Sequence, residues 1–70
     1  MEWINTPESS NIAGFGYSGD TRILTVEFKN GGRYEYFDVP SSVFDAMKAA
    51  PSKGQFLAQS IKAQFRYARV

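Results

Sequence analysis

The chain has 70 residues and a formal net charge of +1, and its residues are 43% hydrophobic and 16% aromatic. This length and composition predict one folded domain, because disordered chains are poor in hydrophobic and aromatic residues. The absence of histidine and cysteine excludes the usual zinc, haem and iron–sulfur sites and removes the commonest general base. We therefore expect a binding protein with no metal and no cofactor rather than an enzyme.

The sequence also bears on the cellular compartment. No segment has the length and hydrophobicity of a membrane span, and Met1–Ser10 contains two glutamates but no basic residue. Neither a transmembrane helix nor a secretory signal peptide is therefore predicted. Because small secreted domains usually depend on disulfides, the absence of cysteine favours a reducing compartment. We expect a cytoplasmic protein without a membrane partner.

The charged residues are distributed unevenly along the chain. Residues 1–40 contain three basic and six acidic residues, whereas residues 41–70 contain five basic residues and one acidic residue. Such an asymmetry is typical of a face that binds nucleic acid or an acidic partner. The alternative is that the folded chain neutralises itself, with basic helices packed over an acidic sheet.

The first half of the chain has the pattern of an antiparallel sheet. Residues 1–8 are expected to be a lead-in segment, followed by a single domain over residues 9–70. Apolar residues separated by glycines over residues 11–17, the alternation over Arg22–Lys29 and the tyrosine-rich Arg33–Asp38 predict three strands. Turn residues at Ser18–Asp20 and Asn30–Gly32 separate these strands.

Residue parity predicts which side chains share a face of the sheet. A three-residue loop with Gly31 in the left-handed conformation pairs Val26 with Tyr34 and places Glu27 opposite Arg33. Even-length loops in the first hairpin place Phe15 opposite Leu24. The predicted core face is Phe15, Leu24, Val26, Phe28, Tyr34 and Tyr36. The predicted outer face is Ile12, Gly14, Gly16, Ile23, Thr25, Arg33, Glu35 and Phe37.

Two helices are predicted after the sheet. Ser42 is the expected N-cap of a short helix that Pro51 stops. The segment Ser52–Gln55 matches a capping box and predicts the start of a second helix. Its buried stripe recurs every fourth residue and consists of Leu57, Ile61 and Phe65. The predicted fold is therefore α+β, with a three-stranded antiparallel β-meander followed by two α-helices packed on one face.

Several landmarks occur in a fixed order over residues 9–68. They are Ser9-Ser10 and Ile12, Gly16-Tyr17, Leu24-x-Val26-x-Phe28, Tyr34-Glu35-Tyr36, Val39-Pro40, Val43-Phe44, Ala50–Gly54, Phe56, Ile61-Lys62 and Phe65. This ordered set resembles the KTSC family, short domains named from the C-terminus of some lysyl-tRNA synthetases and also found as free-standing proteins of bacteria and their phages. The resemblance implies an RNA-binding accessory module, by association with a synthetase.

Basic and aromatic residues supply the candidates for nucleic-acid binding. If the second helix runs to the C-terminus, Lys62, Arg66 and Arg69 lie on one helical face with Tyr67 beside them, which suits phosphate contacts and base stacking. Phe37 is the candidate for stacking on the outer face of the sheet. The alternative is a helix face that is only solvated.

The start of the second helix supplies a candidate anion site. Ser52, Lys53 and Gly54 combine free N–H groups with a positive charge, and Lys53 is also a candidate phosphate contact. The alternative is a capping box that binds no ligand. Tyr34 and Tyr36 could stack on bases as sheet aromatics do in RNA-binding folds, but the predicted register places them in the core.

The sequence therefore predicts a small non-catalytic binding module, with RNA as the favoured partner. The alternative is a protein–protein interaction module that docks through its sheet face or an edge strand. A small hydrolase has the least support, because no pair of carboxylates has a spacing that suggests an acid–base dyad.

Overall fold

The sheet has five antiparallel strands, two more than predicted. The computed structural model describes residues 1–70, and the strands are β1 (Glu2–Asn5), β2 (Ile12–Ser18), β3 (Ile23–Phe28), β4 (Arg33–Tyr36) and β5 (Tyr67–Arg69). Their order in the sheet is their order in the sequence. The α+β class is confirmed, whereas the count of three strands is wrong.

The helices lie between β4 and β5 in the chain and pack on one face of the sheet. Helix α1 spans Ser41–Ala49, and α2 spans Lys53–Phe56 and continues as a π-helical segment over Leu57–Ile61. The π-type geometry is seen in the N–H of Lys62, which donates to the carbonyl of Leu57 at 3.0 Å. None of these helices has the length and apolar character that a membrane crossing needs.

Strand β1 forms within the segment that was predicted as a lead-in. Trp3 pairs with Gly16, and its indole lies over the outer face of the sheet. A Cβ atom on Gly14 would lie 2.8 Å from the indole and one on Gly16 would lie 2.5 Å from it, so both glycines make room for the ring. Thr25, which pairs with Gly16, is 1% exposed. The outer face is thus partly covered at its centre.

Strand β5 replaces the C-terminal end of the predicted second helix. Helical structure ends at Ile61, and Tyr67 and Arg69 pair with Tyr36 and Tyr34. Without β5, β4 would be an edge strand with unpaired backbone groups, and this non-local pairing outweighs the helix propensity of the terminal residues. The prediction that Lys62, Arg66 and Arg69 share one helical face is therefore wrong.

Residue parity predicted the strand register of one hairpin but not of the other. The second is confirmed, since Val26 pairs with Tyr34 and Glu27 with Arg33, and Gly31 has a φ of 96°. The first is shifted by two residues, because Phe15 pairs with Val26 rather than Leu24. The physical reason is a turn centred one residue further along the chain, since Ser18 pairs with Ile23 and Arg22 lies in the turn with a left-handed φ of 59°.

The core lies between the inner face of the sheet and the helices. It consists of Ile12, Phe15, Tyr17, Leu24, Val26, Tyr36, Val39, Phe44, Met47, Leu57 and Ile61. Ile12 was predicted on the outer face, but an irregularity between Ile12 and Gly14 turns its side chain inward, where it is 0% exposed. Phe28, Tyr34 and Phe65 are only partly buried and pack at the margin of this core.

The helix starts follow the sequence in one case of two. Ser52 caps α2, since its hydroxyl accepts from the N–H of Gln55 at 3.2 Å, and this cap is confirmed. Helix α1 instead has Pro40 at its N-cap position with no side-chain hydrogen bond. Ser42 lies inside the helix, so its predicted capping role is wrong.

Candidate functional site

A groove of about 550 Å³ lies on the inner face of the sheet near β4 and β5. We call it the aromatic groove. Its aromatic residues are Phe28, Tyr34, Tyr36 and Tyr67, and its basic residues are Lys29, Lys62 and Arg69. Its other lining residues are Ser10, Asn11, Asn30 and Gly32, so no carboxylate lines it.

Strand pairing assembles the aromatic rings of the groove. Tyr36 pairs with Tyr67 across β4 and β5, and alternate residues of a strand share one face. The Tyr67 ring centroid lies 5.7 Å from those of both Tyr34 and Tyr36, and Phe28 meets Tyr34 edge-on at 5.5 Å. Tyr67 is 57% exposed, so one ring of this connected set is open to solvent.

Two cations of the groove lie over aromatic rings rather than beside carboxylates. Lys62 Nζ lies 5.8 Å from the centroid of Phe28, and the Arg69 guanidinium lies 6.0 Å from that of Tyr34. These distances suit a weak cation–π attraction. The ion pairs of the protein involve Lys48 and Arg66, so Lys62 and Arg69 keep their charge available for an anionic ligand.

Tyr36 connects the groove to the core. It is 2% exposed, and burial raises the pKa of its hydroxyl, with smaller contributions from the nearby Tyr34 and Tyr67. The hydroxyl is therefore neutral near pH 7, because the ordinary tyrosine pKa of about 10 is already well above that pH. The groove accordingly has only positive charges at its rim.

The structure brings together three of the six residues predicted to contact nucleic acid. Lys62, Tyr67 and Arg69 line the aromatic groove. The other three lie elsewhere. Arg66 pairs with Asp38 at 2.8 Å, and its guanidinium lies 5.8 Å from the ring centroid of Phe37.

Lys53 has a structural use that the sequence did not reveal. Its Nζ donates to the carbonyls of Ala50 at 2.6 Å and Lys48 at 3.0 Å, at the C-terminal end of α1. A cation there is stabilised by the negative end of the helix. The anion site at Ser52, Lys53 and Gly54 stays a prediction, and these contacts direct the Lys53 ammonium to backbone carbonyls instead.

A second cavity of about 360 Å³, lined mostly by polar residues, adjoins the start of α2. It is lined by Glu8, Ser9, Ser10, Asn11, Pro51, Ser52, Lys53, Gly54 and Gln55. Ser10 and Asn11 also line the aromatic groove, so the two depressions share a wall. We call this second depression the polar cavity.

Sequence reasoning placed Tyr34 and Tyr36 in the core and gave Phe28, Asn11 and Lys29 no functional role. The spacing of two residues in Tyr34-x-Tyr36 and in Tyr67-x-Arg69 is the feature that could have revealed the groove, because such pairs share a face when the segment is extended. Because a helix was predicted at the C-terminus, Tyr67 and Arg69 were not recognised as a pair on one face of a strand.

Comparison with known proteins assigns the family. The sequence profile of the KTSC domain matches residues 8–65. The chain belongs to the KTSC family. It is 48% identical over 61 residues to the lysine–tRNA ligase of Nostoc punctiforme. That match covers 87% of this chain but only 11% of the ligase, so the chain spans about a tenth of the enzyme's length.

Relatives of similar length share the whole KTSC domain. A protein of Tsukamurella paurometabola is 42% identical over 59 residues, which are 84% of this chain and 88% of that protein. The crystal structure of a KTSC domain protein from Yersinia pestis superposes with a TM-score of 0.88 at 33% identity and covers 97% of both chains. The family resemblance of the sequence is thereby confirmed.

Proposed function

We propose that this KTSC domain is a non-catalytic module that binds single-stranded RNA in the aromatic groove. The observation that carries the proposal is the groove itself, which combines a solvent-exposed aromatic ring with two cations free of carboxylate partners. Unpaired bases stack on aromatic side chains, and the phosphates beside them attract lysine and arginine.

The size and charge of the groove favour a short stretch of unpaired strand. A volume of about 550 Å³ lies within the range of about 300–1,000 Å³ of small-ligand pockets, so one or two nucleotides fit rather than a duplex. Lys62 and Arg69 lie over different rings. A base that stacks on the tyrosines therefore has two cations in the same groove for the phosphates of its strand.

The relatives add support from their context. A segment 48% identical to this chain forms part of proteins named lysine–tRNA ligase, whose name indicates an RNA substrate. In such a protein an additional RNA-contacting domain would raise the local concentration of the strand. This support by association is independent of the groove geometry.

A protein partner is the alternative. On the outer face Trp3 lies over Gly14 and Gly16 and fills the space above these glycines. The free edge of β5 is more suitable, because Tyr67 and Val70 are 57% and 63% exposed. Strand addition there would be short, since β5 has only three residues.

Fluorescence anisotropy with a labelled pool of single-stranded RNA tests the proposal. At low salt we expect dissociation constants of about 100 μM or tighter. With two phosphate contacts, log K should fall against log salt with a slope of about −1.4, since each contact on a single strand contributes about −0.7. Trp3 lies on the opposite face, so its fluorescence reports folding separately from binding.

The same anisotropy measurement can overturn the proposal. Absence of binding to RNA at 100 μM protein and low salt, with unchanged Trp3 fluorescence, removes the nucleic-acid function. In that case pull-down from a nuclease-treated lysate tests the protein-partner alternative. Arg66→Gln is the matched control for charge, because it removes a cation that lies outside the groove and pairs with Asp38.

A further inference from the structure

The polar cavity has a different chemistry from the aromatic groove beside it. Its lining contains serine hydroxyls and side-chain amides together with the carboxylate of Glu8, which forms no ion pair. The one cation in the lining, Lys53, donates to the carbonyls of Lys48 and Ala50. The lining therefore has no free cation for a phosphate, so the cavity suits a neutral group rich in hydroxyls.

Asn11 occupies the wall that the two depressions share. Its carbonyl accepts from the N–H of Lys29 at 2.8 Å, and its Oδ1 accepts from the hydroxyl of Ser9 at 3.2 Å. A Cβ atom on Gly54 would lie 2.5 Å from Oδ1, so the glycine makes room for this amide. The amide nitrogen donates to no protein group, which leaves it available to a ligand.

We propose that the polar cavity binds the ribose of the nucleotide whose base stacks in the aromatic groove, and that Glu8 and Asn11 select RNA over DNA by contacting its 2′-hydroxyl. This inference rests on the proposed function. The 2′-hydroxyl is both a donor and an acceptor. A carboxylate accepts its hydrogen, as acidic residues do with the ribose in dinucleotide-binding folds, while an amide N–H donates to its oxygen.

The dimensions agree with this assignment. A volume of about 360 Å³ lies at the lower end of small-ligand pockets, as a sugar-sized group requires. Ribose and base of one nucleotide are directly bonded, so their two sites must adjoin, and Ser10 and Asn11 supply that junction. The base then lies on aromatic rings and the sugar lies among hydroxyls and amides, while Lys62 and Arg69 in the groove attract the phosphates of neighbouring nucleotides.

Three single-stranded decamers of one sequence test the proposal by anisotropy at a fixed low salt concentration: RNA, DNA and 2′-O-methyl RNA. We expect RNA to bind about three- to tenfold more tightly than DNA, the effect of one or two net hydrogen bonds. The 2′-O-methyl strand should bind more weakly than RNA, because its oxygen has no hydrogen to donate to Glu8.

Two variants assign the effect to the cavity. Glu8→Gln and Asn11→Ala should each bring the ratio of RNA to DNA affinity toward one. Because Glu8→Gln also removes a negative charge, Asp45→Asn on α1 is the matched control, and it should leave the ratio unchanged. Urea denaturation followed by Trp3 fluorescence verifies that each variant is folded.

The outcomes separate this inference from the proposed function. Equal affinity of the wild-type protein for RNA and DNA overturns the ribose site but leaves single-strand binding by the groove intact. A preference for RNA that survives in both variants overturns the roles of Glu8 and Asn11. Failure to bind any of the three decamers overturns the proposed function, and the ribose site with it.

Discussion

The inner face of the sheet carries two aromatic clusters that differ in what covers them. In the first, which we call the closed cluster, Tyr17 stacks on Phe44 of α1 at 5.0 Å, and Phe15 meets Phe44 edge-on at 5.8 Å. The Tyr17 hydroxyl donates to the carbonyl of Val39 at 2.5 Å. In the second, the aromatic groove, Tyr67 is 57% exposed and cations lie over the rings.

The contrast separates aromatic residues that hold the fold from those available to a ligand. In the closed cluster a helix covers the rings, and the tyrosine hydroxyl has a partner inside the protein, as buried polar groups require. Burial contributes about 25 cal/mol per Å² of apolar surface. The groove forgoes part of this stabilisation at Tyr67 and offers stacking surface and positive charge instead. A binding role accounts for the exposure of Tyr67.

The largest expected effect is on the closed cluster. Phe15→Ala removes a ring that is 0% exposed, and we expect the free energy of unfolding to fall by about 3–5 kcal/mol, the usual cost of truncating a core phenylalanine. Urea denaturation followed by Trp3 fluorescence measures it. A loss below about 1 kcal/mol would show that the cluster does not hold the fold.

The second-largest expected effect is on RNA affinity rather than on stability. Tyr67→Ala removes the exposed ring of the groove, so we expect RNA affinity to fall about 5- to 150-fold, equivalent to the 1–3 kcal/mol of one stacked base. Stability should change by less than about 1 kcal/mol, because most of the ring is already in water. Tyr67→Phe is the matched control and should bind normally. Unchanged RNA affinity in Tyr67→Ala would show that the Tyr67 ring does not stack on a base.

Local patterns predicted the parts of the fold that depend on neighbouring residues. The second hairpin followed from parity and from a glycine that tolerates positive φ at Gly31. The cap at Ser52 and the burial of Leu57 and Ile61 followed from a capping box and a four-residue period. Each of these features is decided within about ten residues of sequence.

The features that sequence reasoning missed depend on contacts between distant segments. β1 and β5 form because β2 and β4 would otherwise have unpaired edges, and neither short segment has a strong strand pattern of its own. The groove could not be predicted without β5, since it needs Tyr67 beside Tyr34 and Tyr36. The sequence grouped the basic residues as one candidate set, but their division between groove, ion pair and helix end is a tertiary property.

Tyr36 provides a smaller, pH-dependent test at the boundary of the two clusters. Burial raises the pKa of its hydroxyl, so the folded state holds this proton more tightly than the unfolded chain, whose tyrosine pKa is about 10. Stability from this group is fully present below that pH and is lost as pH rises through the raised folded-state value. We expect urea denaturation to show a fall in unfolding free energy from pH 8 to pH 10.5.

Tyr36→Phe isolates this contribution. The variant has no hydroxyl to ionise, so its unfolding free energy should fall less than that of the wild-type protein over the same pH interval. Equal falls in the two proteins would mean that other groups, such as lysines, cause the whole dependence. The fold itself should tolerate the change, because phenylalanine keeps the ring.

The smallest effects distinguish the groove from the basic helical face that the sequence predicted. Lys62→Gln and Arg69→Gln should each make the salt dependence of RNA binding shallower by about 0.7, since each removes one phosphate contact. Arg66→Gln should leave the slope unchanged, because its guanidinium already pairs with Asp38 at 2.8 Å outside the groove. Its effect on stability should also be small, because an exposed ion pair contributes about 0–1 kcal/mol.

A helical face would make all three substitutions equivalent. Equal slope changes at the three positions would therefore place RNA on the outside of the C-terminal segment rather than in the groove. Changes at Lys62 and Arg69 without one at Arg66 support the contrast between the aromatic groove and the closed cluster.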